Sequence, residues 1–316
     1  MEETGGDAEA AAEDVSRGEA TDGRPVSIPH TEVHPIVSGR PHGDLEVWIA
    51  HPVAGVMPLP PGPRAVLYLL DANLFFGTAV EMTRIMSQLF GELPPITVVG
   101  IAYPTDDPAF QAELRARDFT PSANPGFAAM HSHMPGAPPP RLPEGDRLGG
   151  ADRFLDLIAE RVIPLVEARV DVAPGATTLF GASLGGLFAF HVFLERPGLF
   201  DGYIATSPAL WWGDEAAFAA EAARAAAADD VDASLVLAVG GLEEDPRIPM
   251  LERFKMVTNV ERMAETLRAR DYARLRLTEL VLAGESHTSV VPVALTRGLR
   301  LLHPPPSRGV PSGSAP

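Results

Sequence analysis

The sequence predicts an α/β protein in which a mostly parallel β-sheet carries helices on both faces. From about residue 64 to residue 302, apolar stretches typical of strands alternate with stretches of helical periodicity. Several strand-like stretches are apolar throughout, as expected for parallel strands that are covered on both faces. This alternation favours right-handed crossovers between neighbouring parallel strands.

Length and composition bound the domain organisation. The chain has 316 residues, of which 46% are hydrophobic, and it shows no internal repeat or second core. We therefore expect one domain over residues 25–303. The acidic, alanine-rich residues 1–24 and the Pro/Gly/Ser-rich residues 304–316 are predicted to be disordered tails.

Charge and cysteine content exclude several classes of function. With 25 Lys and Arg against 42 Asp and Glu, the formal net charge is −17, which argues against nucleic acid or an anionic membrane as partner. The absence of cysteine excludes disulfides, thiolate nucleophiles and Cys-based metal sites. Residues 1–20 are acidic and alanine-rich, without the basic n-region and apolar h-region expected of a signal peptide, and no apolar run reaches the ~20 residues that a membrane span needs. These features predict a cytoplasmic protein.

The first half of the predicted domain begins with an antiparallel pair of strands around a turn at Gly39–Asp44. A buried strand, a helix and a second buried strand follow. The predicted elements are Thr31–Ser38, Leu45–His51, Arg64–Leu70, Phe76–Phe90 and Ile96–Ile101. Residues 105–150 are dense in proline and glycine and are predicted to form a long, structureless active-site loop or lid.

In the second half, helices and strands alternate regularly. In chain order they are the helix Asp152–Arg169, the strand Thr177–Phe180, the helix Leu187–Glu195, the strand Gly202–Thr206, the helix Asp214–Ala228, the strand Ser234–Val239, the helix Leu251–Arg270, the strand Arg274–Leu282 and the helix Val290–Leu302.

The most informative motif is Gly181-Ala182-Ser183-Leu184-Gly185-Gly186. It stands between a predicted strand and a predicted helix, the context in which Gly-x-Ser-x-Gly forms a nucleophile elbow. The tight turn requires small neighbours, and the N-terminus of the following helix favours developing negative charge. Ser183 is therefore the predicted nucleophile.

A serine hydroxyl needs a base to become a good nucleophile, and in this chain order an acid and then a histidine should follow. His287 lies just after the last predicted strand and is the predicted base. The acid is expected in the loop after Ser234–Val239, where we favour Glu243 because it lies three residues after Gly240. Asp245 and, in the next helix, Glu252 are the alternatives.

An oxyanion hole takes one N–H from the residue after the nucleophile, here Leu184. The second N–H comes from the loop after an earlier central strand, here Asp71-Ala72-Asn73.

At this point the chain resembles the esterase D superfamily of α/β-hydrolases and, within it, the trilactone or enterobactin-type siderophore esterases. The resemblance covers nearly the whole chain between the tails. It is carried by Tyr68-Leu69-Leu70-Asp71, Gly100-Ile101-Ala102-Tyr103-Pro104, Arg115-Ala116-Arg117-Asp118-Phe119-Thr120-Pro121, Gly181–Gly186, Ser207-Pro208-Ala209-Leu210-Trp211-Trp212, and Gly284 with His287.

The resemblance implies an α/β-hydrolase fold and ester hydrolysis with Ser183 as nucleophile, His287 as base, and the N–H groups of Asn73 and Leu184 in the oxyanion hole. Some similar esterases work with a Ser–His dyad, so a site without an acid stays an alternative. The resemblance implies a siderophore-like macrolactone as substrate.

Other side chains are weaker candidates. Trp211 and Trp212 are expected either to line an acyl or aryl pocket or to cap the core. Arg117, with Arg115, is expected either to contact an anionic substrate or to hold the long loop. His131 and His133 lack neighbouring ligands at metal-binding spacing, and His191 is interpreted as a packed helix histidine.

The sequence therefore predicts a serine esterase that acts on a small-molecule ester and needs neither metal nor organic cofactor. Two alternatives use the same scaffold. One is an acyltransferase that passes the acyl group to a sugar or amine, and the other is a non-catalytic binding protein.

Overall fold

The structure is a computed structural model that describes residues 26–124, 126, 139–228 and 230–305. The predicted tails, apart from the residues next to the domain, and the pair His131 and His133 lie outside these residues. The described strands are β1 (Thr31–Ile36), β2 (Leu45–Ala50), β3 (Arg64–Leu69), β4 (Ile96–Ala102), β5 (Val172–Ala182), β6 (Gly202–Thr206), β7 (Ala233–Gly240) and β8 (Leu275–Leu282).

These strands form one sheet in the order β1-β2-β4-β3-β5-β6-β7-β8. The pairs β1–β2 and β2–β4 are antiparallel, whereas every pair from β4–β3 to β7–β8 is parallel. The predicted α/β class with a mostly parallel sheet is confirmed. Because β5 to β8 are parallel neighbours, the loops that follow them meet along one edge of the sheet, which we call the carboxyl edge.

The helices are α1 (Ala72–Gln88), α2 (Pro108–Phe119), α3 (Ala151–Leu157), α4 (Ile163–Glu167), α5 (Leu184–Glu195), α6 (Trp212–Ala227), α7 (Pro249–Phe254), α8 (Met256–Ala269) and α9 (Val290–Leu302). A π-helical turn, Ile158–Val162, joins α3 to α4, and a short 3₁₀ turn spans Glu144–Asp146. None of the helices in the described part of the chain is long and apolar enough to cross a membrane.

The core lies in two layers, one on each face of the sheet. Alternate residues of β3 show the division: Val66 and Tyr68 join one layer, whereas Ala65 and Leu67 join the other. The first layer also takes apolar side chains from α2 to α6 and α8, and the second takes those of α1 and α9. Helices therefore cover both faces, as the continuous apolar strands predict.

Two parts of the chain differ from the prediction. The segment 105–150 contains α2, whose first turn is capped by the Asp107 carboxylate and has Pro108 at its start. The prediction of a structureless segment is therefore wrong for Pro108–Phe119. The N-cap at Asp107 stabilises a helix whose apolar stripe is too weak to predict it. The predicted helix Leu251–Arg270 is instead two helices, since Lys255 takes a left-handed backbone conformation with φ 46°.

Candidate active site

Ser183 occupies the turn between β5 and α5. Its backbone has φ 58° and ψ −118°, a conformation that is costly for any residue other than glycine. Its N–H donates to the Thr206 carbonyl at 2.9 Å, and its own carbonyl accepts from the N–H of Ala209 at 3.2 Å. The neighbouring strand end therefore holds the strained turn in place.

The glycines around Ser183 are required by close packing. A Cβ at Gly181 would lie 2.1 Å from the Gly185 carbonyl oxygen. A Cβ at Gly186 would lie 2.6 Å from the carbonyl oxygen of Thr206. The sequence pattern of small residues on both sides of the serine thus has a direct steric cause: strand, turn and helix approach each other too closely for side chains.

Strained backbone recurs along the carboxyl edge. Asp71 follows β3 with φ 54°, and Ser207 follows β6 with φ 42°, so three neighbouring strands, β3, β5 and β6, each end in a non-glycine residue with positive φ. Such residues persist only where surrounding contacts hold them, and they concentrate at functional sites. The strain marks this edge as the candidate active site.

His287 and Glu243 meet at the same edge, after β8 and β7 respectively. Nδ1 of His287 lies 2.5 Å from Oε2 of Glu243, whose side chain is only 1% exposed, while that of His287 is 42% exposed. A carboxylate on Nδ1 fixes the orientation of an imidazole and leaves Nε2 for a second partner. This is the arrangement that a general base next to a serine needs.

The second oxygen of Glu243 is also bound. Oε1 accepts a hydrogen bond from the Ser207 hydroxyl at 2.5 Å and another from the Gly240 N–H at 2.7 Å. A Cβ at Gly240 would lie 2.9 Å from this oxygen, so glycine lets the carboxylate approach the backbone. Three donors therefore face one buried carboxylate.

The other candidate acids do not reach His287. Both oxygens of Asp245 bind the Arg247 guanidinium, which lowers the pKa of Asp245 to about 2. Glu252 is exposed on α7. The neighbouring Glu244 binds the backbone N–H and hydroxyl of Thr258 in the first turn of α8. Of the carboxylates considered from sequence, Glu243 alone contacts the histidine.

The two N–H groups expected in the oxyanion hole lie at helix starts. Leu184 is the first residue of α5 and Asn73 the second of α1, positions whose N–H groups have no partner within the helix. The Asn73 side chain bonds the backbone of Tyr103 twice, donating to its carbonyl at 3.0 Å and accepting from its N–H at 2.8 Å. The loop after β3 is thus tied to the end of β4.

An ion pair between the partly buried Arg115 and the buried Asp71 holds the turn that precedes Asn73. The Arg115 guanidinium donates two hydrogen bonds of 2.9 Å to the two oxygens of Asp71, which is 5% exposed. Burial works to lower the pKa of Arg115, but the Asp71 carboxylate outweighs it and holds the pKa above its ordinary value. Arg115 therefore anchors α2 to this turn.

Arg117 is not available to a ligand. Its side chain is fully buried and bonds both oxygens of Asp118 at 2.8 Å and the carbonyl of His42 at 3.0 Å. The expectation that Arg117 contacts substrate is therefore wrong, and its alternative role of holding the segment fits the structure. The sequence could not separate the two roles, because Arg115 and Arg117, two residues apart on α2, have different neighbours.

Trp211 remains near the carboxyl edge, in the loop after β6. It is partly buried, and its ring centre lies 4.7 Å from that of Phe254. Trp212 is buried and donates from Nε1 to the carbonyl of Ser122 at 3.0 Å. Trp212 therefore belongs to the core, whereas Trp211 is only partly buried and stays a candidate for substrate contact.

The sequence did not single out Ser207 or the Gly240 N–H as part of the site. A sequence signal for Ser207 exists, because it is the polar residue directly after β6. This strand lies between β5, which precedes Ser183, and β7, which precedes Glu243. His191, by contrast, is a packed helix histidine as interpreted, with Nε2 at 2.8 Å from Asp152. Among the described residues, no group of three or more metal-binding side chains is placed to hold an ion.

Comparison with known proteins identifies the family. A family model described as "Putative esterase" matches residues 127–274. Ferri-bacillibactin esterase BesA of Bacillus subtilis is 33% identical over 284 residues, covering 88% of this chain and 91% of the relative. The siderophore enterobactin esterase of Emericella nidulans is 34% identical over 254 residues, covering 75% of this chain and 81% of the relative.

A solved structure agrees with these sequence relatives. The siderophore hydrolase EstB from Aspergillus nidulans has a TM-score of 0.73 and 28% identity, covering 89% of this chain and 98% of that one. The predicted α/β-hydrolase fold and the resemblance stated from sequence are confirmed. The chain belongs to the α/β-hydrolase esterase family that contains these siderophore esterases.

Proposed function

We propose that the protein hydrolyses the ester bonds of a siderophore-type macrolactone, with Ser183 as nucleophile and His287 as base. As a member of this family the protein is a serine esterase. The observation that carries the residue assignment is the 2.5 Å contact between His287 Nδ1 and the buried Glu243 carboxylate, at the sheet edge that also bears the strained Ser183.

In the first half-reaction, Oγ of Ser183 attacks the ester carbonyl carbon while Nε2 of His287 accepts the hydroxyl proton. The carbonyl electron pair moves to oxygen, and the N–H groups of Asn73 and Leu184 bind the resulting oxyanion. Collapse breaks the bond to the leaving alcohol, which takes the proton from His287 and leaves Ser183 acylated.

In the second half-reaction, water replaces the alcohol. His287 accepts a proton from the water as its oxygen attacks the acyl carbon, and collapse returns that proton to Oγ of Ser183 with release of the carboxylic acid. Glu243 holds the imidazole in place and stabilises the imidazolium that forms in each half.

The substrate class is supported by the relatives. Proteins 33% and 34% identical to this chain over most of its length are named for esters of bacillibactin and enterobactin. We propose that Trp211, beside Phe254 at the same edge, contacts the substrate. We also propose the cytoplasm as its compartment, which suits a chain without cysteine.

Hydrolysis of ferric trilactone siderophores, set against short acyl and feruloyl esters, tests the proposal. The purified protein should convert a ferric trilactone to linear products, and Ser183→Ala should not. Adding an acceptor alcohol distinguishes hydrolysis from transfer, since a transferase would form the new ester. Equal hydrolysis by wild type and Ser183→Ala would contradict the proposal.

A further inference from the structure

Ser207 is buried, with 1% of its surface exposed, and lies directly after β6. Because β6 pairs with β5 on one side and β7 on the other, this position stands between the nucleophile strand and the acid strand. The residue is polar, strained and inaccessible to a substrate that enters from solvent. A strained backbone conformation persists only where the surrounding contacts hold it.

Its contacts point to Glu243. The Ser207 hydroxyl donates to Oε1 of Glu243 at 2.5 Å, while its backbone N–H donates to the Ala238 carbonyl at 2.6 Å. The backbone bond extends the β6–β7 pairing past the end of β6 and holds φ at 42°. The strained backbone thus directs the hydroxyl toward the acid.

Geometry explains why such a donor matters. Glu243 has two oxygens, and only Oε2 faces His287. A carboxylate can rotate about its terminal bond, and donors on Oε1 oppose that rotation. Ser207 supplies one donor from a side chain and Gly240 the other from the backbone.

We propose that Ser207 is a positioning residue, whose hydroxyl holds Oε1 of Glu243 and so keeps Oε2 directed at His287. The inference rests on the proposed function, because it requires Glu243 to act in catalysis. Ser207 touches neither the scissile ester nor Ser183 through its side chain, so its effect should pass entirely through the acid.

Two variants separate the hydroxyl from the backbone. Ser207→Ala removes the donor but keeps the cost of a positive φ, whereas Ser207→Gly removes the donor and relieves that cost. Both should lower kcat by about 10-fold or more, because a hydrogen bond to a charged group is lost, with KM nearly unchanged. Similar losses in kcat for the two variants, with Ser207→Gly folded as stably as wild type, would assign the effect to the hydroxyl.

A double-mutant cycle identifies the path of the effect. In a Glu243→Gln background, removing the hydroxyl should cost less than about 2-fold, because the partner is already altered. Ser234→Ala, which removes a hydroxyl bonded to Arg276 at the opposite end of β7, is the matched control and should leave kcat unchanged.

Each negative result has its own meaning. If Ser183→Ala abolishes hydrolysis while both Ser207 variants keep kcat within about 2-fold of wild type, the positioning role is wrong and the proposed function stands. Losses that add fully to that of Glu243→Gln would also overturn the role. If Ser183→Ala retains activity, the proposed function itself fails.

Discussion

Two histidines at opposite ends of the sheet have different surroundings. His287, at the carboxyl edge, is 42% exposed and bonds the buried Glu243 carboxylate. His303 follows α9, is buried, and has Nε2 at 2.8 Å from the hydroxyl of Thr178, which pairs with the first residue of β6. Burial lowers the pKa of His303, so this ring is held neutral.

One residue type thus has a proposed catalytic role at one end of the sheet and a packing role at the other. An accessible ring oriented by a carboxylate can accept a proton and hold the charge. A buried ring bonded to a neutral hydroxyl cannot gain a proton without cost. Partner and exposure separate the two roles.

The largest effect on activity should come from replacing His287, with the replacement of His303 as the comparison. His287→Gln should lower kcat by about 10⁴-fold or more, because the proposed base is lost, with little change in the midpoint of thermal unfolding. His303→Gln should show the reverse pattern, with activity retained and the midpoint lowered. Ester hydrolysis and thermal unfolding measured on both variants check the pattern. A large loss of activity in His303→Gln would contradict the packing role of His303.

The acid should give the next largest effect. Glu243→Gln should lower kcat by about 10³- to 10⁴-fold, since the imidazole loses its carboxylate partner. Asp245→Asn is the matched control: it changes a carboxylate two residues away that binds Arg247 instead, and its kcat should equal that of wild type. Equal activity in Glu243→Gln and wild type would instead support a Ser–His dyad.

The pair of Arg115 with Asp71 at the carboxyl edge should affect stability and not the chemical step. Arg115→Gln leaves the buried Asp71 carboxylate without its partner and should lower the free energy of unfolding by about 3 kcal/mol. Chemical denaturation measures the loss. Arg247→Gln, which breaks an exposed pair, should leave the unfolding midpoint unchanged, and an equal fall in both variants would contradict the role of burial.

The smallest effect concerns pH. The pKa of His303 is lowered in the folded protein. The neutral ring therefore contributes its full share to the free energy of unfolding at pH values above about 6.5, the ordinary pKa of histidine. That stability should be lost as the pH falls below about 6.5, since the unfolded chain then binds the proton more readily. The free energy of unfolding, measured by chemical denaturation between pH 5 and 8, should fall more steeply with decreasing pH for wild type than for His303→Gln. An equal dependence on pH in the two proteins would refute the assignment.

Much of the fold could be predicted because apolar patterning fixes strands and helices locally. Gly202–Thr206 and Val290–Leu302 agree with the structure to the residue. Most other boundaries shift by a few residues, since helix starts depend on local turns. The start of α1 at Ala72 instead of Phe76 follows from the left-handed turn at Asp71. Helix α2 is not predicted by apolar periodicity because its sequence has many polar residues, and its start depends on the Asp107 cap.

For the site, the sequence could identify Ser183 and His287 as candidates by motif and chain order. It could not choose firmly among Glu243, Asp245 and Glu252, because the choice depends on which side chain the loop turns inward. It could not place Arg117 in the interior or find Ser207, since both depend on contacts between segments far apart in the chain. Long-range packing, which periodicity does not encode, decides these positions.

The central claim is that Ser183 is a nucleophile activated at the carboxyl edge, and covalent labelling tests it most directly. A fluorophosphonate probe reacts with an activated serine and leaves an adduct that peptide mass spectrometry can locate. We predict one adduct, on Ser183, which His287→Gln strongly slows and Asp245→Asn leaves unchanged. An intact, folded protein that forms no adduct, or forms it on another residue, would contradict the account.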